Sequence, residues 1–197
     1  MKVFRSPEEV EPHPAGTCLA LGTFDGVHRG HQAILARTVR WAQQEGWRSM
    51  ALTFDPHPRQ VIAPSVDFFL LTALDARLEL MAAAGLDAVL LLRFDEALRR
   101  TEPEEFVQRV VVGSVGARGV VCGPDFRFGR ERRGDVDLLR RLGEAYGFAV
   151  EVCAPVIVGG EPVSSSRIRR LLREGRTAEA EALIGRPDGV DGVERVC

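Results

Sequence analysis

The sequence predicts an α/β fold, a doubly wound parallel sheet with helices on both faces. Three observations predict it. Apolar runs of strand length alternate with helix-period segments between residues 18 and 153, and such alternation implies parallel strands joined by right-handed crossovers. The run Ala88–Leu92 is apolar throughout, as a strand covered on both faces must be. A length of 197 residues suits one such domain with a substantial core.

Taken in order, Cys18–Leu21 forms a first short strand. His31–Glu45 follows as a helix with Ile34, Leu35, Val39 and Ala42 on one face and Gly46 as its stop. Ser49–Phe54 is the next strand. Thr72 with Asp75 has the form of a capping box that opens a helix through Ala84. Ala88–Leu92 is a strand, and Thr101, Pro103 and Glu104 mark another helix start, with proline in the first turn. Gly119–Cys122, a helix over Asp135–Tyr146 and a strand over Phe148–Cys153 complete the alternation. "VIVGGEPVS" (156–164) predicts a hairpin turning on Gly159-Gly160. Two short helices, Ser166–Glu174 and Thr177–Ile184, are closed by Gly175 and Gly185. The domain is expected to span residues 1–187, with a loose tail at 188–197.

Composition narrows the function classes. A net charge of −2 and a pI near 6.1 give no reason to expect nucleic acid as a partner. Cys18, Cys122, Cys153 and Cys197 are far apart with no CxxC pair, and the first three sit in or beside apolar runs, which predicts buried reduced thiols. No apolar run approaches ~20 residues and no basic, apolar leader is present, so a cytoplasmic protein without membrane contact is expected.

The chemistry concentrates in "LALGTFDGVHRGH" (19–31). A strand enters, Gly22 and Gly26 allow a tight turn, and a helix leaves near Gly30. Free N–H groups at a helix start, aided by the helix dipole, bind anions. Gly30 lets a phosphate approach the backbone, and His28 and His31 can aim imidazole N–H groups at it. A His-x-x-His metal half-site is the competing reading, but no third ligand lies at finger-like spacing. The stretch is neither a Walker loop nor a dinucleotide GxGxxG.

His28-Arg29-Gly30-His31 after a strand resembles the HxGH motif of the nucleotidylyltransferase superfamily. Val163–Arg169, "VSSSRIR", resembles its second signature, Ile-Ser-Ser-Thr-x-x-Arg, with Ser166 in place of threonine. Serines opening a helix, with an arginine one turn in, suit polyphosphate oxygens; alone they would read as a simple N-cap. "TFDPHP" (53–58), "TEPEEFV" (101–107), "GPDFRFGRERRGD" (123–135) and "LIGRP" (183–187) narrow the resemblance. Together they are similar to the FMN adenylyltransferase module of the bacterial bifunctional riboflavin kinase/FAD synthetase family, over roughly residues 15 to 187.

That resemblance implies a Rossmann-like fold and the reaction ATP plus FMN giving FAD and pyrophosphate, with Mg²⁺. The FMN phosphate is already anionic, so alignment and charge neutralisation suffice. By the same resemblance His28, His31, Ser164 and Arg169 act on the phosphates, with Ser165 beside them. Gly22, Thr23, Phe24, Asp25, Gly30, Gly123 and Asp125 border ATP, and Asp125 meets the magnesium unless it is only a turn aspartate after Pro124. Pro56, His57, Pro58, Phe126 and Phe128 wall the flavin. Phe68 and Phe94 suit either slot or core, and Phe106 suits core. The arginines of 127–133 either attract the anionic substrates or form a solvated loop.

Members of this family usually continue past "GRP" into a riboflavin kinase barrel, and Asp188 stands where an aromatic residue usually follows. The expectation is therefore no kinase activity in this chain, with FMN supplied by a separate riboflavin kinase unless the chain is truncated. The alternatives are an adenylyl- or cytidylyltransferase for another phosphorylated acceptor, such as a pantetheine phosphate, and a non-catalytic flavin- or nucleotide-binding relative.

Overall fold

Five consecutive buried residues, Thr17–Leu21, form the strand from which the sheet is built outward on both sides. The computed structural model describes residues 1–65 and 67–185. Its main sheet contains β1 (Lys2–Phe4), β2 (Thr17–Leu21), β3 (Arg48–Asp55), β4 (Ala88–Arg93), β5 (Ala117–Cys122) and β6 (Ala149–Val152). All neighbours pair in parallel, in the order β1-β4-β3-β2-β5-β6. The chain steps from β2 through β3 to β4, then returns to the other side of β2 as β5 and β6. Loops leaving β2 and β5 therefore diverge, and ligands of such folds bind in the crevice at this switch point.

Both faces of the sheet's centre are covered, which is why β2, β3 and β4 are largely apolar without alternation. On one face Leu19, Met50, Leu90 and Val120 pack with Val107, Val111 and Leu139. On the other, Ala20, Ala51, Val89 and Val121 pack against α1 (Arg29–Glu45) and α3 (Leu74–Ala83). A smaller cluster joins α7 (Ser165–Arg173) to α8 (Thr177–Ile184) through Ile168, Leu171 and Leu183. The hairpin of β7 (Ile157–Val158) and β8 (Glu161–Pro162) precedes α7. Cys18, Cys122 and Cys153 are free thiols, the first two fully buried.

Helix α1 buries Ile34, Leu35, Thr38 and Ala42, and Gly46 ends it in the left-handed region at φ 69°. Val39 is only half-buried; Thr38 takes the inner position because its hydroxyl donates to the Ile34 carbonyl at 2.9 Å. Helix α6 (Val136–Tyr146) is capped by Asp135.

Some expectations are corrected. Thr72 and Asp75 form no capping box: the N-cap of α3 is Ala73, without a side-chain hydrogen bond. Thr72 is drawn elsewhere, its N–H donating to the Asp25 carboxylate at 3.2 Å. Pro103 does open a helix, α5 (Pro103–Phe106), but the N-cap is Glu102, not Thr101. The chain then widens into a π-helix over Val107–Ser114, where Val115 N–H reaches back five residues to the Val110 carbonyl at 2.9 Å. Strand β1 and the one-turn helices α2 (Pro58–Ile62) and α4 (Glu96–Arg100) are too short for periodicity to reveal. The boundary at 187, the tail 188–197 and Cys197 lie outside the described residues.

Candidate active site

A cavity of about 960 Å³ opens at the carboxyl ends of the strands, at the upper end of small-molecule sites. Gly22, Phe94, Gly123 and Cys153, each the residue following a strand, line it together with Phe54 of β3.

The turn from Gly22 to His28 is strained. Phe24 and Val27 take left-handed φ of 50° and 38°, a rare state for bulky or β-branched residues that persists only where the surroundings over-determine it. The surroundings do so here. The carbonyl of Thr23 accepts from Thr53 Oγ1 at 2.8 Å and from Arg77 Nη1 at 3.2 Å. Asp25, wholly buried, accepts from the N–H groups of Leu71 and Thr72 and pairs with Arg169. Gly26 sits at φ 88° with no room for a Cβ, which would lie 2.9 Å from Leu71. At Gly22 the constraint is space rather than φ, since a Cβ there would press on the Phe24 ring at 3.0 Å.

His28 is the N-cap of α1, and its Nδ1 accepts from the His31 N–H at 3.3 Å. The ring proton therefore sits on Nε2, which remains available as a donor. The two imidazoles stack at 3.6 Å and 16°. Burial, with Arg169 nearby, lowers the His28 pKa to about 4, and burial holds His31 well below its ordinary value. Both rings are neutral at pH 7. The first-turn amides of Arg29 and Gly30 have no intrahelical acceptor.

The two ends of the chain meet here. A Cβ on Gly30 would lie 3.2 Å from the His28 ring and 3.5 Å from the Val163 carbonyl. Ser164 is the N-cap of α7, its hydroxyl accepting from Arg167 N–H at 3.2 Å, and the Ser165 hydroxyl donates to the Asp25 carbonyl at 3.0 Å. Both serines line the cavity.

Asp25 and Arg169 are placed differently from expectation. Neither is among the cavity-lining residues; both are buried behind the turn, with Arg169 Nε donating to the Phe69 carbonyl at 2.8 Å. A carboxylate this deep requires a cation, and Arg169 supplies it. Burial pushes the Asp25 pKa up, while Arg169 and the two amides pull it back. Arg169 thus braces the turn from behind instead of facing the cavity.

A second, aromatic wall of the cavity is made after β5, where Phe126 and Phe128 stack at 5.6 Å and 16°, with Phe106 beside Phe128 at 6.2 Å. Phe54 and Phe94 meet edge to face at 5.7 Å, which places Phe94 in the slot. Phe128 lines the cavity but is not outside the core as expected: it is 7% exposed and packs in the main cluster. A β-bridge to Gly134, with hydrogen bonds of 3.0 and 2.9 Å, tucks it inward. Gly134 allows this because a Cβ there would lie 2.8 Å from the ring. Pro58 lines the cavity, whereas Pro56 and His57 do not. His57 instead caps α2, accepting from Arg59 N–H at 3.1 Å, and its ring lies against Phe68.

Arginines 127, 130 and 133 pair with Asp135, Glu102 and Glu131 on the surface, and Arg127, Arg130 and Arg132 also line the cavity, so both readings of this loop stand. Asp125 is exposed on the cavity wall. No group of three His, Cys, Asp or Glu side chains able to hold a metal occurs among the described residues. Sequence reasoning missed Arg77, a buried cation on α3 that also donates to the Phe54 carbonyl at 2.9 Å. A lone arginine in a helix pattern carries no signal of such a role.

The family model described as FAD synthetase matches residues 10–167. Bifunctional riboflavin kinase/FMN adenylyltransferases from Pseudomonas fluorescens and Escherichia coli K12 are 38% and 33% identical over 98% of the chain. The chain spans 61% and 62% of their lengths. A crystal structure titled as a macrolide-efflux protein from Streptococcus pneumoniae shares the fold, with a TM-score of 0.83 at 23% identity, over 94% of this chain and 61% of that one. The strained turn, the HRGH head of α1 and the serine-led α7 all fall within the matched span or adjoin it, and the chain belongs to the FAD synthetase family.

Proposed function

We propose that the chain transfers AMP from ATP to FMN, giving FAD and pyrophosphate. The observation that supports this best is the meeting of the HRGH turn and the serine-led helix α7 on one wall of a cavity whose other wall is aromatic. An FMN phosphate oxygen attacks the α-phosphorus of ATP and forms the new P–O bond. The bond from the α-phosphorus to the bridging oxygen breaks, and pyrophosphate departs with the electron pair. No general base is required, so the protein contributes alignment and fixed donors.

His28 donates Nε2–H to the triphosphate, with His31, Ser164, Ser165 and the head of α1 beside it. Asp25 and Arg169 hold the turn. Gly22, Thr23, Phe24, Gly30 and Gly123 border the nucleotide, and Phe126 with Phe54 and Phe94 faces the flavin. Asp125 fits a Mg²⁺ ion carried by the nucleotide, since that ion commonly takes one or two carboxylates, substrate phosphates and water. Bound there, Mg²⁺ neutralises charge on the phosphates.

FMN comes from a riboflavin kinase. The free thiols of Cys18, Cys122 and Cys153 suit a reducing cytoplasm, and no helix among the described residues is long and apolar enough to cross a membrane. Chromatographic detection of FAD from FMN, ATP and Mg²⁺ tests the reading, beside parallel reactions with riboflavin and with a pantetheine phosphate. FAD from FMN supports it. Pyrophosphate released only with the pantetheine phosphate reassigns the acceptor, and none with any acceptor removes the catalytic reading.

A further inference from the structure

Gln32 follows directly after HRGH and is the fourth residue of α1. Its Nε2 donates twice, to the Val27 carbonyl at 2.8 Å and to the Ile184 carbonyl at 2.9 Å. A side-chain amide has two N–H donors, and these two join carbonyls 157 positions apart (184 − 27).

The Val27 carbonyl lies in the same planar peptide unit as the His28 N–H, so holding that carbonyl sets the plane from which His28 projects. Val27 is the residue at φ 38°, and its peptide needs such a restraint. The restraints from Thr53, Arg77, Leu71 and Thr72 act upstream, on Thr23 and Asp25. The Ile184 carbonyl, at the end of α8, has no partner within its helix. The next residue, Gly185, is seated so closely on Arg29 that a Cβ would lie 2.5 Å from the arginine Cγ. The end of α8 is thereby fastened to the first turn of α1.

We propose that Gln32 is a positioning residue for the transfer reaction: through the Val27 peptide it fixes the direction of the His28 imidazole, and it makes that direction depend on the docking of α8. The inference rests on the AMP-transfer reading for its kinetic consequence, and its structural consequence stands without it. Gln32→Met keeps the volume and removes both donors. Gln32→Glu keeps the shape and opposes the two carbonyls with a carboxylate, which regains one donor when protonated.

The test measures FAD formation by the wild type and both variants across pH, with amide hydrogen exchange over residues 27–32. In folded variants at neutral pH, kcat falls about tenfold to a hundredfold, while KM for ATP changes less than about threefold. The ratio of Gln32→Glu to wild-type kcat recovers as pH falls, the Gln32→Met ratio stays flat, and exchange over 27–32 rises in both. Unchanged kcat, a loss confined to KM, or unchanged exchange overturns the proposal. A wild type that makes no FAD overturns the functional reading instead, and the exchange measurement then decides the role of Gln32 alone.

Discussion

The two walls of the cavity are held by different kinds of interaction. On the histidine wall the restraints are buried: the Asp25–Arg169 pair, two amides on the same carboxylate, and two donors on the Thr23 carbonyl. On the aromatic wall, ring contacts and a β-bridge are framed by exposed ion pairs between Arg130, Arg133 and Glu102. Buried charge and hydrogen-bond networks hold one geometry because each broken partner leaves an unsatisfied group. Exposed pairs contribute about 0–1 kcal/mol. On the AMP-transfer reading proposed above, the histidine wall is accordingly pre-set for charge that develops in the transition state.

The largest expected contrast comes from removing one arginine on each wall. Arg169→Met strands the Asp25 carboxylate and should cost about 3–5 kcal/mol of stability, against at most about 1 kcal/mol for Arg133→Ala. Denaturant melts compare them, and equal losses would erase the distinction.

His28→Ala removes a fixed donor and should lower kcat by about 10²–10³-fold; near-wild-type turnover would take His28 out of the mechanism. A pH series sharpens the same wall. Because the His28 pKa falls from 6.5 to about 4 on folding, the unfolded chain binds more protons between these values. Its contribution is complete above pH 6.5 and lost as pH falls toward 4, by about 2–3 kcal/mol. A His28→Asn variant with an equally steep decline would assign the loss to other groups.

The smallest effect belongs to the aromatic wall. Phe126→Ala should weaken FMN binding by about 0.5–1.5 kcal/mol beyond lost contact area, read by calorimetry; an unchanged Kd would place the flavin elsewhere. Phe128→Ala is the poorer probe, since truncating a core phenylalanine costs about 3–5 kcal/mol of stability.

What was legible in the sequence followed from local rules. Strands buried on both faces must be apolar, so β2 to β5 announced themselves, while the edge strand β6 showed only a short half-buried run; Gly46, Gly175 and Gly185 marked helix ends. The HRGH turn was legible because a strand, a glycine turn and a helix head are contiguous. The partnership of Asp25 with Arg169 was not, because it joins residues 144 apart (169 − 25) and emerges only when α7 docks. The same holds for Phe128, whose burial depends on a bridge to Gly134, and for Gln32, whose second acceptor lies at the far end of the chain. Sequence patterns located the site's outward face; the groups bracing it from behind became visible only in three dimensions.

The most direct test is a crystal structure with FMN and a non-hydrolysable ATP analogue bound together. The account predicts the triphosphate at the head of α1 within reach of His28 Nε2, the isoalloxazine against Phe126, and an FMN phosphate oxygen about 3–3.5 Å from the α-phosphorus. A triphosphate held away from His28 and Ser164, or a flavin seated outside this cavity, would contradict it.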